Sequence, residues 1–582
     1  MRTETKVIVL VLLLGYTAYA VGAVAISSLG AGSGSGSGFG AEQADDLEWE
    51  LDEADETAPE FERTIQFANT SGESGIDYES SSKEALRATQ SMMSDAGVYV
   101  TDHDGDGTPD VLLVGGDEPV LFENENGSFT ETDSIPSIDG TVRSALVFDY
   151  DGDGLDDLLL LRMSDTPVLL ENRGGAYDRV DGAFDVELDV PMGAAAADYT
   201  GNGCLDVFVV QNGDWRDERP NGLREYNVSD GADNGNRNYL FRGTCSSFET
   251  VTDGGIEGTR WSLATSFVDL TGDGRPDIHV ANDFNRDIVY YNQGDGTFER
   301  VELGDRTNRN GMSSTIADVD GDGHPDIFVT NVWFTDSIQQ RLDDTTFRIR
   351  GEGNNLLINN GDGTFEERAE TYGVDRGGWG WAGVVADLTN DGELDLFHTT
   401  RHMTFEFADR RFSDREVTLI HKAYPFFQYP AVWEGTGDGF ESVSARSAGF
   451  DVTDGRGVAE LDANGNGALD LLVANNDGEF HLYENEGATG NAVVLELQRN
   501  DTVTANGASV EIIDGDERYH RFVHSNSDYL SQGDQRVHVG VGDADSVTVR
   551  VTWPDGTSYR YDDVRTNRTL VTDPSGTFET RP

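Results

Sequence analysis

The chain has 582 residues, with 108 acidic against 41 basic side chains and a net charge of −67. Such a surface repels a polyanion, which argues against nucleic acid as a partner. Hydrophobic residues make up 37% of the chain, with 28 Phe, 19 Tyr and 8 Trp; that supplies a core and excludes a chain disordered throughout. Lysine is confined to Lys6, Lys83 and Lys422, so nearly every cation is Arg. Acids spread over the whole length with so little Lys read as the composition of a halophile's protein. At molar salt the Debye length is about 3 Å and self-repulsion is screened; at low salt the same charge opposes the compact state.

Residues 1–29 are expected to be an export segment. Arg2 and Lys6 precede an uncharged stretch from Val7 to Leu29, long enough to span a bilayer at about 20 residues. Positive charge before it places the N-terminus inside and the body outside. Two readings stay open: an uncleaved anchor, or a signal peptide with its apolar core at Val7–Leu14 and Ala23-Val-Ala25 as the small-residue site. Residues 30–60 follow as a linker. It opens with the Gly/Ser tether Gly32–Gly38 and continues into the acidic run that begins at Glu42, a composition that stays unfolded.

Residues 61–486 carry seven copies of one acidic loop, which begin at Asp102, Asp149, Asp198, Asp269, Asp318, Asp387 and Asp462. The loop runs D-x-[DNT]-G-[DN]-G-x-x-D and is followed by an aliphatic residue. Position 6 is always Gly; position 4 is Gly except for Asn390 in the sixth copy. Both types tolerate the positive φ that a tight curl needs. Carboxylates at alternate positions of such a curl converge on one point, where they repel one another unless a hard cation with six to eight oxygen ligands joins them. The predicted ion is Ca2+. Side chains at positions 1, 3, 5 and 9 and the backbone carbonyl at position 7 are the expected ligands.

The seven sets are then Asp102, Asp104, Asp106, Thr108 and Asp110; Asp149, Asp151, Asp153, Leu155 and Asp157; Asp198, Thr200, Asn202, Cys204 and Asp206; Asp269, Thr271, Asp273, Arg275 and Asp277; Asp318, Asp320, Asp322, His324 and Asp326; Asp387, Thr389, Asp391, Glu393 and Asp395; and Asp462, Asn464, Asn466, Ala468 and Asp470. No Glu closes the loop in a helical context, so this is not an EF-hand. Strand-like runs flank it instead, such as Ala145–Phe148 before and Leu158–Leu161 after. The first, second and fifth copies hold four carboxylates each; the third and seventh hold two and are expected to bind most weakly. Seven divalent ions would bring the charge only from −67 to about −53, so calcium does not account for the acidity.

Loop starts are spaced by 47, 49, 71, 49, 69 and 75 residues. The short interval suits one four-stranded propeller blade, and seven blades with a closing strand in the region Phe61–Tyr78 is the predicted count. The longer intervals mark insertions near Trp215–Arg237, Trp333–Gly353 and His402–Trp433, and long loops on a rigid frame are where binding function concentrates. Cys204 and Cys245 would form a disulfide in an oxidising compartment; two free thiols are the other reading. Residues 487–582 alternate as strands do at Val493–Gln498, Val510–Ile513 and Val547–Trp553, without further acidic loops. A separate small all-β domain is expected there.

Longer strings add a resemblance. The loops resemble the FG-GAP/VCBS repeats of integrin-α-type propellers. Ala281–Phe284, Gly311-Met312, Gly380–Gly383 and Gly455–Val458, with Asn506–Ala508, Tyr529–Gln532, Val539–Gly542 and Trp553–Gly556 after them, resemble the cartilage acidic protein/UnbV group with its C-terminal ASPIC/UnbV domain. A departure is Ala505–Ala508, where the group carries a more glycine-rich turn. The resemblance implies an all-β fold, a calcium-stiffened seven-bladed integrin-α-like propeller followed by a small β domain, used outside the cell for adhesion. It implies no catalytic activity.

Three functions are weighed. The first is a binding module for a cell-surface glycan or protein, touching the membrane only through its N-terminal segment. Trp215, Trp261, Trp333, Trp379, Trp381 and Trp433 are candidate sugar platforms, with packing between blades as the plainer role. The second is a purely structural envelope component. The third is an enzyme in the central channel, for which His398, His402 and Asp283 are the candidates. No G-x-S-x-G elbow, phosphate loop or dinucleotide fingerprint supports it. His398 also ends a predicted strand, where the pair lacks the one-face spacing of a helical metal couple.

Overall fold

In this computed structural model the described residues are 65–80, 96–116, 118–213, 235–335, 339, 351–400, 429–452, 454–476, 478–499 and 503–581. The N-terminal segment, the linker and most of the three insertions, with Trp215 and His402, lie outside them. Residues 63–582 form one compact unit. Among the described residues no helix is long and apolar enough to cross a membrane.

The architecture is largely all-β and multi-repeat, propeller-like, with a small β domain at the C-terminus. Seven sheets are antiparallel meanders. Their first strands are Gly97–Thr101, Val142–Phe148, Pro191–Ala197, Trp261–Val268, Thr315–Ala317, Gly380–Ala386 and Gly455–Leu461. Each is almost wholly buried, as with Val142–Phe148, because it packs between its neighbours. Leu146 and Leu159 meet Ala194 and Val207 of the next sheet in one cluster, and Ala264 and Ile278 lie in clusters shared with adjoining sheets. The run closes on itself: Phe67–Asn69 is the outer strand of the seventh sheet, with Phe67 opposite Asn485 and Asn69 opposite Tyr483.

The second strand of every sheet begins at position 9 of an acidic loop, at Asp110, Asp157, Asp206, Asp277, Asp326, Asp395 and Asp470. All seven loops therefore sit at the same end of their sheets. The second strands of the third, fifth and sixth sheets end, and their third strands begin, at the opposite end.

Two further sheets follow, one built on Ala492–Leu497, Val537–Gly540, Arg568–Thr572 and Phe578–Arg581, the other on Ser509–Asp514, Glu517–Phe522, Ser546–Thr552 and Ser558–Arg565. They enclose a core of their own around Val493, Val510, Val549 and Trp553. The segment is nonetheless interlocked with the ring. Ser525–Asn526 pairs with the third sheet, Ala195 opposite Asn526, and Ser531–Gln532 pairs in parallel with the first, Val98 opposite Ser531.

The same loop reaches the other five sheets. Gln532 accepts from Val147 N and donates to Val147 O, both at 2.9 Å. Asn526 Oδ1 accepts from Phe267 N at 2.9 Å. Asp528 accepts from Ser314 N at 2.7 Å through one oxygen and from Gly383 N at 2.9 Å through the other. Asp534 N donates to Glu460 O at 3.0 Å. A loop bonded to the inner edge of all seven sheets lies on the axis of the ring. Its polar sequence survives burial there because ring backbone groups satisfy it. Tyr529 is fully buried, its ring 4.7 Å from that of Trp381.

Candidate metal centres

Each acidic loop is built on the same hydrogen-bond frame. Both turning residues sit at positive φ, for example Gly152 at 87° and Gly154 at 86°; Asn390 takes the same region at 59°. The position-1 carboxylate accepts from the amide of position 6. The distances are 3.0 Å for Asp102 and Gly107, 3.1 Å for Asp149 and Gly154, and 2.7 Å for Asp198 and Gly203. Asp269, Asp318, Asp387 and Asp462 repeat the contact with Gly274, Gly323, Gly392 and Gly467. Position 5 accepts from the amide of position 7 in every copy, from Asp106 with Thr108 to Asn466 with Ala468.

Position 9 is the anchor. Asp157 accepts from Tyr150 N at 3.0 Å and from Asn172 N at 2.8 Å, which ties the loop to the end of the third strand. Asp110, Asp206, Asp277, Asp326, Asp395 and Asp470 do the same in their own sheets.

In three loops the carboxylates of positions 1, 3 and 9 converge. Asp102, Asp104 and Asp110 form one group, Asp149, Asp151 and Asp157 a second, and Asp318, Asp320 and Asp326 a third; within each, the offered oxygens lie within 4.8 Å of one another. These are the three copies with four acids. The position-5 acids Asp106, Asp153 and Asp322 stand outside the groups and serve the position-7 amide. In the third, fourth, sixth and seventh copies, Thr200, Thr271, Thr389 and Asn464 stand at position 3, so three carboxylates do not meet there.

The donor set fits a hard divalent cation such as Ca2+. Asp102 Oδ1 is buried with no hydrogen-bond partner, as a metal-facing oxygen would be. Burial pushes the Asp157 carboxyl up to about 9 and those of Asp110 and Asp326 up to about 7. A cation at the focus removes that penalty, because it supplies the charge that burial denies.

One repeated element takes its meaning only from the assembled sheets. The Asn that ends the third strand donates its side-chain amide to the position-2 carbonyl of the preceding sheet's loop. Asn172 Nδ2 reaches His103 O at 2.8 Å, and Asn485 Nδ2 reaches Leu388 O at 2.7 Å. Asn124, Asn292 and Asn359 do the same to Ala463, Tyr199 and Leu270. The third and sixth sheets have Gly243 and Gly435 at this position, where a Cβ would stand 2.0 Å from Leu205 O and 2.5 Å from Leu394 O. The signal was present: an Asn before each Gly-rich turn, in sheets one, two, four, five and seven only. In the third sheet the following residue but one, Cys245, forms a disulfide with Cys204 at position 7 of its own loop.

The C-terminal segment covers this end of the ring. Arg536, Arg499, His520, Tyr519, Gly542 and His538 touch the first, second, third, fifth, sixth and seventh loops between them.

Two family models match parts of this chain. The FG-GAP-like repeat model matches residues 102–160, 269–329 and 344–398, and the ASPIC and UnbV model matches residues 498–577. It is an FG-GAP-repeat chain with an ASPIC and UnbV segment, related at low identity to cartilage acidic protein 1. Cartilage acidic protein 1 of Mus musculus is 24% identical over 501 residues, which span 79% of this chain and 70% of the mouse protein. The Homo sapiens protein is 25% identical over 246 residues, 35% of this chain and 37% of that one.

Among solved structures, the extracellular domain of a hybrid two component system from B. thetaiotaomicron aligns with a TM-score of 0.37 and 9% identity, over 81% of this chain and 52% of that one. YCF48 from Cyanidioschyzon merolae aligns at 0.36 and 9%, over 67% of this chain and 96% of that one.

The other candidates fall elsewhere. His398 is buried in its strand beside Trp433, and burial lowers its imidazole to about 4. Asn282 bonds to Asp287, Val280 and Arg286 and Asp283 accepts from Asn310, so both order a turn. Trp379, Trp381 and Trp433 are core residues, while Trp261 and Trp333 are half-buried. Residues 525–532, bonded to the inner strands, occupy the axis where the third reading would place a channel site.

Proposed function

We propose that this chain is a calcium-organised, seven-bladed integrin-α-like propeller that acts outside the cell as a binding module for a surface glycan or protein. The observation that carries the reading is the convergence of three carboxylates in loops of one repeated frame. Asp102, Asp104 and Asp110, Asp149, Asp151 and Asp157, and Asp318, Asp320 and Asp326 would hold the best-bound ions. The remaining loops would bind more weakly, the third and seventh most weakly of all. The Cys204–Cys245 disulfide and the export-like residues 1–29 support an extracytoplasmic site. Scarce Lys and abundant acid support a high-salt habitat.

Binding belongs at the end of the ring opposite the loops. The loop end is covered by the C-terminal segment and the axis is filled, whereas half-buried Trp261 and Trp333 stand at the opposite end. The test pairs elemental analysis with binding of the purified chain to the host's cell-envelope fraction in molar salt. Bound calcium with saturable binding lost on chelation supports the proposal. Calcium-loaded protein that binds nothing favours a purely structural role, and protein that holds no divalent ion sinks the calcium reading.

A further inference from the structure

The C-terminal segment does more than sit near the acidic loops; it is fastened to their backbone. Arg536 Nη1 donates to Gly107 O at 2.5 Å, Arg499 Nη2 to Gly203 O at 3.2 Å and Gly542 N to Asn390 O at 2.9 Å, and His538 Nε2 lies 3.1 Å from Gly467 O. These carbonyls occupy positions 4 or 6 of the first, third, sixth and seventh loops. In the second loop the guanidinium of Arg499 lies so close over Gly152 that a Cβ there would stand 2.3 Å from its carbon. The docking surface is therefore the curl of the loops, and each carbonyl points where the curl aims it.

The curl in turn depends on charge. Asp149, Asp151 and Asp157 converge within 4.8 Å, and without a cation their mutual repulsion opens the loop or forces protonation. Arg499 brings one positive charge against three carboxylates, so it does not replace a divalent ion. The axial loop, residues 525–532, belongs to the same segment and is joined covalently to the ring only through the chain beyond Asn485. Its own bonds to the inner strands hold it in the axis, and the docked segment keeps it aligned with them.

We propose that ion occupancy of the loops seats the axial loop. A loaded ring holds residues 525–532 between its inner strands. Ion loss unfastens the C-terminal segment and opens the axis before the sheets of the ring separate. The inference rests on the metal reading above.

The test is hydrogen exchange on the full chain in molar salt, with calcium and after chelation, with ion content measured in parallel. After ion removal the amides of residues 525–532 should exchange at least roughly tenfold faster, while those of Leu159 and Leu160 in the second sheet hold. Unchanged exchange at 525–532 after confirmed ion loss overturns the inference and leaves the metal sites standing; protein that never held an ion overturns both. Where chelation melts the whole ring, the R499Q/R536Q variant decides with ions in place. Faster exchange at 525–532 at unchanged ion content supports the seating, and unchanged exchange refutes it.

Discussion

The second and third loops share one backbone frame and differ in almost everything attached to it. In the second, Asp149, Asp151 and Asp157 converge, and no Asn from the next sheet grips the carbonyl of Tyr150, because Gly243 stands where that Asn would be. In the third, Asp198 and Asp206 are the sole acids of the motif. Its curl is instead closed by the Cys204–Cys245 disulfide and by Asn292 Nδ2 on Tyr199 O at 3.1 Å. The comparison teaches that the frame admits more than one kind of reinforcement: a disulfide and a hydrogen bond supply it in the third sheet, where in the second a cation at the converging carboxylates would supply it.

Four experiments break or sharpen that contrast. Chelation should have the largest effect, since a site held at a hundredfold its dissociation constant contributes about 2.7 kcal/mol by linkage, and three convergent groups act together. A calorimetric melt in molar salt that does not fall on confirmed ion loss would refute it. Replacing Cys204 and Cys245 by Ser should cost about 2–4 kcal/mol, read as a drop in Tm that persists with calcium saturating, because the third loop, with two acids, would gain least from an ion.

Asn172→Ala should cost about 1–3 kcal/mol, because it leaves His103 O and Asp156 O, at 2.8 and 3.0 Å from the lost amide, without that donor. Denaturant unfolding checks it, and a cost near zero would remove the Asn latch as a stabilising element.

The dependence on pH should separate ion-free from ion-loaded protein. Burial raises Asp157 to about 9 and Asp110 and Asp326 to about 7 in the ion-free fold, while the unfolded carboxylate titrates near about 4. Between those values the native state binds more protons than the unfolded one, so ion-free stability falls as pH rises across that window. Ion-loaded protein should show a flatter profile and release protons on loading; equal slopes with and without calcium would contradict the assignment.

What was legible in the sequence was whatever repeats with chemistry attached. Seven Asp-rich curls marked the hairpins, and their spacing fits the sheets that carry them. Strands such as Val142–Phe148 and Ser546–Thr552 followed from apolar runs and alternation. The third-strand Asn latch was in plain view but looked like ordinary turn chemistry, because its partner lies in the preceding sheet. The axial loop was illegible for a deeper reason. Ser525-Asn-Ser-Asp528 has the composition of a solvent-exposed turn, and only the inner backbone of four ring sheets makes its burial affordable. Contiguous alternation at Val510–Ile513 suggested an independent body, and nothing local could reveal that a polar stretch within it threads the ring.

The pairing of Phe67 with Asn485 has a consequence for how the chain is made. A strand near one end of the ring waits for its partner until almost the whole ring has emerged from the ribosome, and the axis stays open until Gln532 has emerged too. Pairings of such sequence separation form slowly. A nascent chain of this kind would leave the cell, if it is exported, as an unclosed string of hairpins. Closure would then take place on the far side, where divalent ions and oxidising conditions are first available to fix it.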